Sequence, residues 1–234
     1  MPGRGDTYVV DIETVGTPWT ELDERTQQYL LGRAANEAER EAVPRRLGLS
    51  PGTGRVIVIG MQNITNGTGG MLVEGPPQPW REVGPQSPKR FDGDERAMLV
   101  EFWRLLTRAG RIVTFNGRGF DGPFLMLRSA ILGVAPTRNL AGYRYTFDPH
   151  CDLAEVFNFR GALRTDYSLD YWCRRFGITS PKEEGLQGHQ VQQAYEEGRL
   201  EEIVRYCARD VAATAMLYGA VSETLLPVLE SKRT

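Results

Sequence analysis

Apolar positions along the chain follow two rhythms, and the change from one to the other predicts an α/β architecture. Tyr8 to Thr14 reads Tyr-Val-Val-Asp-Ile-Glu-Thr, an apolar run ending in two carboxylates. Arg55 to Gln62 is almost continuously apolar, as a buried strand requires, and Gly70 to Glu74 is a shorter partner. The Asn-, Gly- and Thr-rich turn between them predicts a hairpin. Another strand is expected at Arg111 to Phe115, and a short apolar stretch around Phe147 leads into His150-Cys-Asp-Leu153. The helical period appears at Met98, Leu99, Phe102, Trp103, Leu105 and Leu106, in a helix opened by Asp94 and closed by Gly110 as its C-cap. It returns after Pro123 with Phe124, Leu125, Leu127 and Ile131, ending near Gly133. Beyond Leu153 the chain reads as wholly helical: Leu153 to Phe159, Ser168 to Phe176, Gln190 to Gly198, and Leu200 to about Leu229.

Three stretches interrupt this order. The middle of Gly16 to Thr53, from Thr20 to Ala42, is charged, alanine-rich and free of glycine apart from Gly32, which predicts a helix with Thr20 and Asp23 as a weak capping box and Pro44 at its far end. This excursion is either a helical insertion packed on the domain edge or a flap over a substrate channel. Pro76 to Pro88 holds five of the fourteen prolines and reads as a loop. Arg138 to Tyr145 is polar and irregular. The expected whole is a mixed five-stranded sheet flanked by helices, with a helical C-terminal third, since the hairpin places an antiparallel strand among parallel ones. It forms one domain over residues 1–234, with a core at about 7–220 and the insertion at about 17–53.

Composition changes the picture only slightly. A chain of 234 residues that is 41% hydrophobic supports one large core. A net charge of -2 gives no global attraction to polyanions, yet only Lys89, Lys182 and Lys232 among the 28 basic residues are lysines. The arginine fork suits phosphate; a biased genome composition accounts for the excess equally well. There is no signal-peptide pattern and no apolar run long enough to cross a bilayer, so a cytoplasmic protein without a membrane partner is expected. Cys151, Cys173 and Cys207 are odd in number and show no C-x-x-C spacing, which argues for reduced thiols rather than disulfides or zinc. The sequons at Asn63 and Asn66 lose their meaning without secretion. Arg4-Gly5-Asp6 reads as a chance triplet near a terminus.

The candidate chemistry lies in carboxylates. Asp11 and Glu13 are two apart on a strand, so both side chains point to one face. Their repulsion requires a cation or protons to offset it, and hard cations such as Mg2+ or Mn2+ prefer such oxygens. By itself a D-x-E match is unremarkable. Asp121 follows a strand and a glycine-bearing turn at a helix start, where it serves as a ligand or simply as an N-cap. Tyr206 and Asp210 are four apart on a helix and share a face. The run that follows turns apolar, which directs Asp210 to the core side.

Taken together, D-x-E on a first strand, N-x-x-x-F-D after a later strand and Y-x-x-x-D on a C-terminal helix resemble the three motifs of the DEDD superfamily of 3'-5' exonucleases, in its tyrosine subclass. Within it the chain is similar to stand-alone predicted exonucleases related to the proofreading domain of family B DNA polymerases. The likeness runs from about Thr7 to Tyr218 and includes Gly54-Arg-Val-Ile-Val-Ile-Gly60, Ser168-Leu-Asp170 and Tyr206-Cys207. It implies a ribonuclease H-like fold and hydrolysis of phosphodiester bonds at the 3' end of single-stranded nucleic acid, DNA or alternatively RNA, releasing nucleoside 5'-monophosphates. It further implies two divalent metal ions, Mg2+ or Mn2+. Asp11 bridges both, Glu13 and Asp210 hold the first, Asp121 holds the second directly or through its water, and Tyr206 orients the attacking water. The histidine subclass places His where this chain has Arg205. Nucleic-acid contacts are expected from Thr14, Asn116, Phe120, Arg118 and Arg209; Asn116 is equally a turn residue, and Phe120 equally a core residue.

Gly117-x-Gly119-x-x-Gly122 formally matches a dinucleotide fingerprint. Asp121 would set a negative charge beside the pyrophosphate, and no acidic residue lies between Asp121 and Asp148 to bind a ribose. No nicotinamide or flavin cofactor is therefore expected. His150 and His189, the two histidines, are not near a G-x-S-x-G turn, which argues against a serine hydrolase. A nucleic-acid-binding module that keeps the fold without the chemistry is the remaining alternative, although every motif carboxylate and the tyrosine are present.

Overall fold

A computed structural model describes residues 5–84, 87–143, 146–164, 167–179 and 185–231. Arg4 of the Arg-Gly-Asp triplet and the last two residues of the irregular 138–145 stretch lie outside the described residues. At the centre is strand β1 (Asp6–Gly16), longer at both ends than its apolar run. Val10 and Ile12 pack into one core cluster, while Val9 and Val15 pack into clusters containing residues of the long C-terminal helix. Burial on both faces is why the run is nearly continuous in apolar residues rather than alternating.

Strand β2 (Gly54–Asn63) pairs antiparallel with β1, placing Gly60 opposite Asp11. It forms the expected hairpin with β3 (Thr68–Glu74). On the far side of the hairpin lie β4 (Gln78–Arg81) and β5 (Lys89–Gly93), and on the other side of β1 the parallel strands β6 (Ala109–Thr114) and β7 (His150–Asp152). Among the described residues the mixed sheet has seven strands, ordered β4-β5-β3-β2-β1-β6-β7, rather than five. The two strands absent from the sequence pattern are the ones whose stability is not local. β4 is an edge strand, where Pro79 is tolerated. β5 reads Lys-Arg-Phe-Asp-Gly, and the Asp92 carboxylate is held by Arg81 and Arg90, which also reaches Glu201.

The insertion holds two helices, α1 (Glu24–Gly32) and α2 (Glu37–Ala42), instead of one. Asp23, not Thr20, is the first N-cap, accepting from Thr26 N at 3.0 Å. Asn36 starts the second helix by accepting from Glu39 N. Neither helix buries a residue; the 3-10 turn Pro44–Leu49 that follows anchors the segment through Leu47.

Helix α3 (Glu95–Leu106) starts where expected, with Asp94 as its N-cap, but it ends at Thr107. Gly110 lies inside β6, where a Cβ would come within 2.9 Å of the Gly5 backbone, so close strand approach explains this glycine rather than helix capping. Together α3 and α4 (Asp121–Ile131) cover one face of the sheet, with Met98, Phe102, Trp103, Phe124 and Leu125 packed on Val10, Ile12, Ile59 and Leu72. The C-terminal part contributes α5 (Leu153–Phe157), α6 (Leu169–Arg175), α7 (Val191–Glu196), α8 (Leu200–Ser222) and α9 (Leu226–Glu230). The expected helix from Leu200 to Leu229 breaks after Ser222 because Pro227 supplies no N–H to continue it. Helix α8 crosses the opposite face of β1 and β2, bringing Ile203, Cys207, Val211, Leu217 and Val221 into the core. Among the described residues no helix is long and apolar enough to cross a membrane.

Candidate active site

The period-two geometry of β1 sets Asp11 and Glu13 on the face covered by α8. Their carboxylates and the Cys207 thiol each have a potential ligand atom within 4.8 Å of the others. The helix can come this close because Gly60 has no side chain: a Cβ there would lie 2.8 Å from both Cys207 Sγ and Val211 Cγ2. Cys207 Sγ donates to Asp11 Oδ2 at 3.4 Å and lies 3.7 Å from the Asp11 carbonyl. Burial and the surrounding carboxylates push its thiol well above the ordinary range, so the sulfur stays protonated and neutral.

One turn of α8 carries Tyr206 and Asp210 on one face, as their spacing predicts. The Tyr206 side chain is 6% exposed and hydrogen-bonds Asp210; burial, then Asp210, Glu13 and Asp11, hold the phenol above its usual range. Asp121 arrives from the opposite layer. It is the first residue of α4, not its cap: Phe120 occupies the cap position without a side-chain bond. Asp121 Oδ1 instead accepts the Ile12 N–H at 3.1 Å, on a stretch of β1 that has run past its pairing with β6 at Val9. A carboxylate thus substitutes for the neighbouring strand and joins α4 to the strand bearing Asp11 and Glu13.

The electrostatics report the same convergence. Asp11 is pushed well above the usual carboxylate range by burial, then by Asp121 and Asp210. Glu13 is raised by burial, then by Asp11, Asp210 and Asp121. Asp121, 6% exposed, rises to about 7, again chiefly through burial, with Asp152 and Asp210 adding and the backbone N–H groups partly offsetting. Four carboxylates on three elements therefore oppose one another's ionisation. A donor set of carboxylate oxygens with unrelieved negative charge fits hard divalent cations, while the neutral thiol adds no charge to it.

The loop before Asp121 is built by residues the sequence did not single out. Asp152 accepts from Asn116 N at 2.8 Å, Arg118 N at 2.9 Å and Ala154 N at 3.0 Å. Asn116 sits exposed with φ of 63°. The glycines of the apparent dinucleotide fingerprint are set by packing: a Cβ on Gly117 would strike Thr114 at 2.5 Å, and one on Gly122 would lie 3.0 Å from Leu140 Cβ. His150 is buried and lowered to about 4, hence neutral. Its Nδ1 must donate to the Leu140 carbonyl at 2.5 Å, which leaves Nε2 to accept from the Thr114 hydroxyl at 2.8 Å.

The structure brings Asp11, Glu13, Asp121, Tyr206 and Asp210 together, and distributes the expected nucleic-acid contacts differently. Arg118 does not face solvent: its side chain is 6% exposed, and the guanidinium donates to the carbonyls of Tyr143, Thr146 and His150. Phe120 is half-buried against the core, 5.4 Å from the Phe124 ring. Thr14 donates its hydroxyl to the Gly48 carbonyl at 2.7 Å. Arg209 lines a cavity of about 580 Å³ with Met61, Gln62, Thr68 and Lys89. Gly60, Asp152 and Cys207, which had no role assigned from the sequence, act through contacts with distant elements. Gly60 and Cys207 lie in stretches that carry the family likeness, whereas Asp152 had no such signal.

Known proteins share the fold that carries this arrangement. The chain is 18% identical to the family B DNA polymerase from the archaeon Pyrobaculum calidifontis, with a TM-score of 0.55 over 98% of this chain and 27% of that one. That likeness places the mixed sheet and its helices in the ribonuclease H-like fold of the polymerase exonuclease domain. DNA polymerase 1 of Aeropyrum pernix is 38% identical over 73 residues, which make up 28% of this chain and 7% of that protein. The chain thus spans only a small part of either polymerase. A family model matches residues 86–225, which include Asp121, Tyr206 and Asp210, and the fold delivers Asp11 and Glu13 to them from outside that range. On that match, the chain belongs to the family described as predicted 3'-5' exonucleases related to the exonuclease domain of PolB.

Proposed function

We propose that the chain is a metal-dependent 3'-5' exonuclease of the tyrosine subclass that shortens single-stranded DNA from its 3' end and releases nucleoside 5'-monophosphates. The observation that carries this reading is the convergence of Asp11, Glu13, Asp121 and Asp210 with Tyr206 in one group, where burial and the neighbouring carboxylates raise Asp11, Glu13 and Asp121. Asp11, Glu13 and Asp210 would hold one Mg2+ or Mn2+ ion, and Asp11 with Asp121 a second. Bound there, two such ions supply a nucleophilic water and stabilise the attacking and leaving oxygens of an in-line displacement.

The chain's own groups do the positioning. Tyr206 remains a neutral phenol, so it orients the attacking water by hydrogen bonding and does not take its proton. Asp210 fixes the phenol, and the absence of a side chain at Gly188, whose Cβ would lie 3.5 Å from the hydroxyl, leaves room beside it. Cys207 steadies Asp11 by donating to Oδ2. Asp152 holds the loop that presents Asp121 and leaves Asn116 exposed towards the strand end. The test is incubation of purified protein with 5'-labelled single-stranded DNA or RNA and Mn2+, with and without chelator. Stepwise metal-dependent shortening from the 3' end is expected. Intact substrates of both kinds, in a preparation that still binds them, would leave a binding module in place of an enzyme.

A further inference from the structure

A cleft of about 590 Å³ opens at the end of β1, beside the carboxylate centre and distinct from it. Its floor includes Thr14, the residue after Glu13, and Gly188, which adjoins the Tyr206 hydroxyl. One wall is the Pro44–Leu49 turn of the insertion, carrying Arg45, Arg46 and Leu49; the other is the 3-10 turn Gly188–Gln190, carrying His189, with the start of α7, carrying Gln192. Among the described residues none of the lining side chains is acidic, although the neighbouring centre holds four carboxylates.

Both walls are fixed to β1. Thr14 Oγ1 donates to the Gly48 carbonyl at 2.7 Å, and Thr53 Oγ1 donates to the Leu47 carbonyl at 2.8 Å. Gly16, Gly48 and Gly54 pack so tightly that a Cβ on Gly16 would lie 2.7 Å from Leu47 Cβ, and one on Gly54 would lie 3.0 Å from Gly48 Cα. On the other side Gly16 N donates to Gln192 Oε1 at 2.8 Å. Arg45 and Arg46 are exposed and make no ion pair among the described residues, and Leu49 beside them is 65% exposed, which leaves an apolar surface next to the two cations. The arginines are thus free cations on a rigid support, close to a centre whose own charge repels phosphate.

We infer that this cleft is the entry path for the strand: Arg45 and Arg46 contact backbone phosphates next to the scissile one, and Leu49 packs against a base. The volume lies in the range of a ligand-sized site, about 300–1,000 Å³, which suits one or two nucleotides and not a duplex. The insertion then becomes a fixed wall of the substrate channel. The inference rests on the proposed exonuclease reading for the direction of the strand, but its test does not require turnover.

Binding of a fluorescent single-stranded DNA 12-mer is measured by anisotropy in Ca2+ over a series of salt concentrations, for the wild type, Arg45→Ala/Arg46→Ala, Arg45→Lys/Arg46→Lys and Arg25→Ala, which alters an exposed arginine of α1 outside the cleft. The double alanine variant is expected to bind about ten- to hundredfold more weakly, with a log–log salt slope shallower by about 1.4, since each phosphate contact on a single strand contributes about 0.7. The lysine variant should retain most of the slope. Unchanged affinity of the alanine variant, absence of strand binding by the wild type, or an equal loss in Arg25→Ala would overturn the assignment. A parallel Mn2+ assay separates the two readings. Arginine-dependent binding without shortening retains the cleft and rejects the exonuclease, whereas shortening at equal rates by wild type and double variant does the reverse.

Discussion

Replacing Asp121 by Asn should make the metal-free protein more stable at alkaline pH, a direction opposite to most buried substitutions. The folded state raises the Asp121 carboxyl from 3.8 to about 7. Because the folded pKa lies above the unfolded one, the folded state binds the proton more tightly. Stability is then greatest at acid pH and falls as pH rises from about 4 through 7. Three units at about 1.4 kcal/mol each give a ceiling of about 4 kcal/mol at pH 8. Asparagine cannot ionise, yet its Oδ1 still accepts the Ile12 N–H that Asp121 receives at 3.1 Å. Asp11 and Glu13 keep their own repulsion, so a gain of about 2 kcal/mol is expected, or roughly 4–8 °C in Tm for a chain of this size. Urea and thermal melts in EDTA at pH 4.5, 6 and 8 measure it, and the gain should nearly vanish at the lowest pH. Adding Mn2+ should reverse the order, because a ligand at 100 times its Kd stabilises the wild type by about 2.7 kcal/mol. A variant less stable than wild type in EDTA at pH 8, or a difference that does not change with pH, would refute this account of the cluster.

Other substitutions separate chemistry from support. Asp11→Ala should abolish Mn2+-dependent shortening of single-stranded DNA while leaving the urea midpoint in EDTA close to wild type, because loss of one carboxylate also relieves repulsion. Tyr206→Phe should lower kcat on the order of tenfold to hundredfold, as mispositioning of a reactant does, with Mn2+ affinity by calorimetry unchanged. Gly60→Ala should cost about 1–3 kcal/mol in denaturation, since its Cβ would lie 2.8 Å from Cys207 Sγ and Val211 Cγ2. Asp152→Asn turns an N–H donor towards one of the amide N–H groups at Asn116 and Arg118, and should cost about 1–3 kcal/mol in the same measurement together with most of the activity.

Sequence and structure divide the protein along a physical line. Whatever depends on the repeat of neighbouring residues is legible in the chain. The shared face of Asp11 and Glu13 follows from the strand period, that of Tyr206 and Asp210 from the helical one, and the β2–β3 hairpin from its turn residues. The start of α3 at Asp94 is likewise legible, from the helical period that begins there. Features held by distant partners were not. Strands β4 and β5 depend on ion pairs around Asp92, and Gly110 answers to Gly5 rather than to a helix end. Asp121 looks like a cap locally, and only the sheet order places it under the Ile12 amide. Arg118 reads as a surface cation until the loop folds over it and three carbonyls surround its guanidinium. The sequence by itself determined which carboxylates exist and which faces they occupy, because strand and helix periods are properties of consecutive residues. The tertiary structure decided that residues 11, 13, 121 and 210 share one site in which Asp11, Glu13 and Asp121 are raised, because burial and repulsion arise only when separate elements pack together.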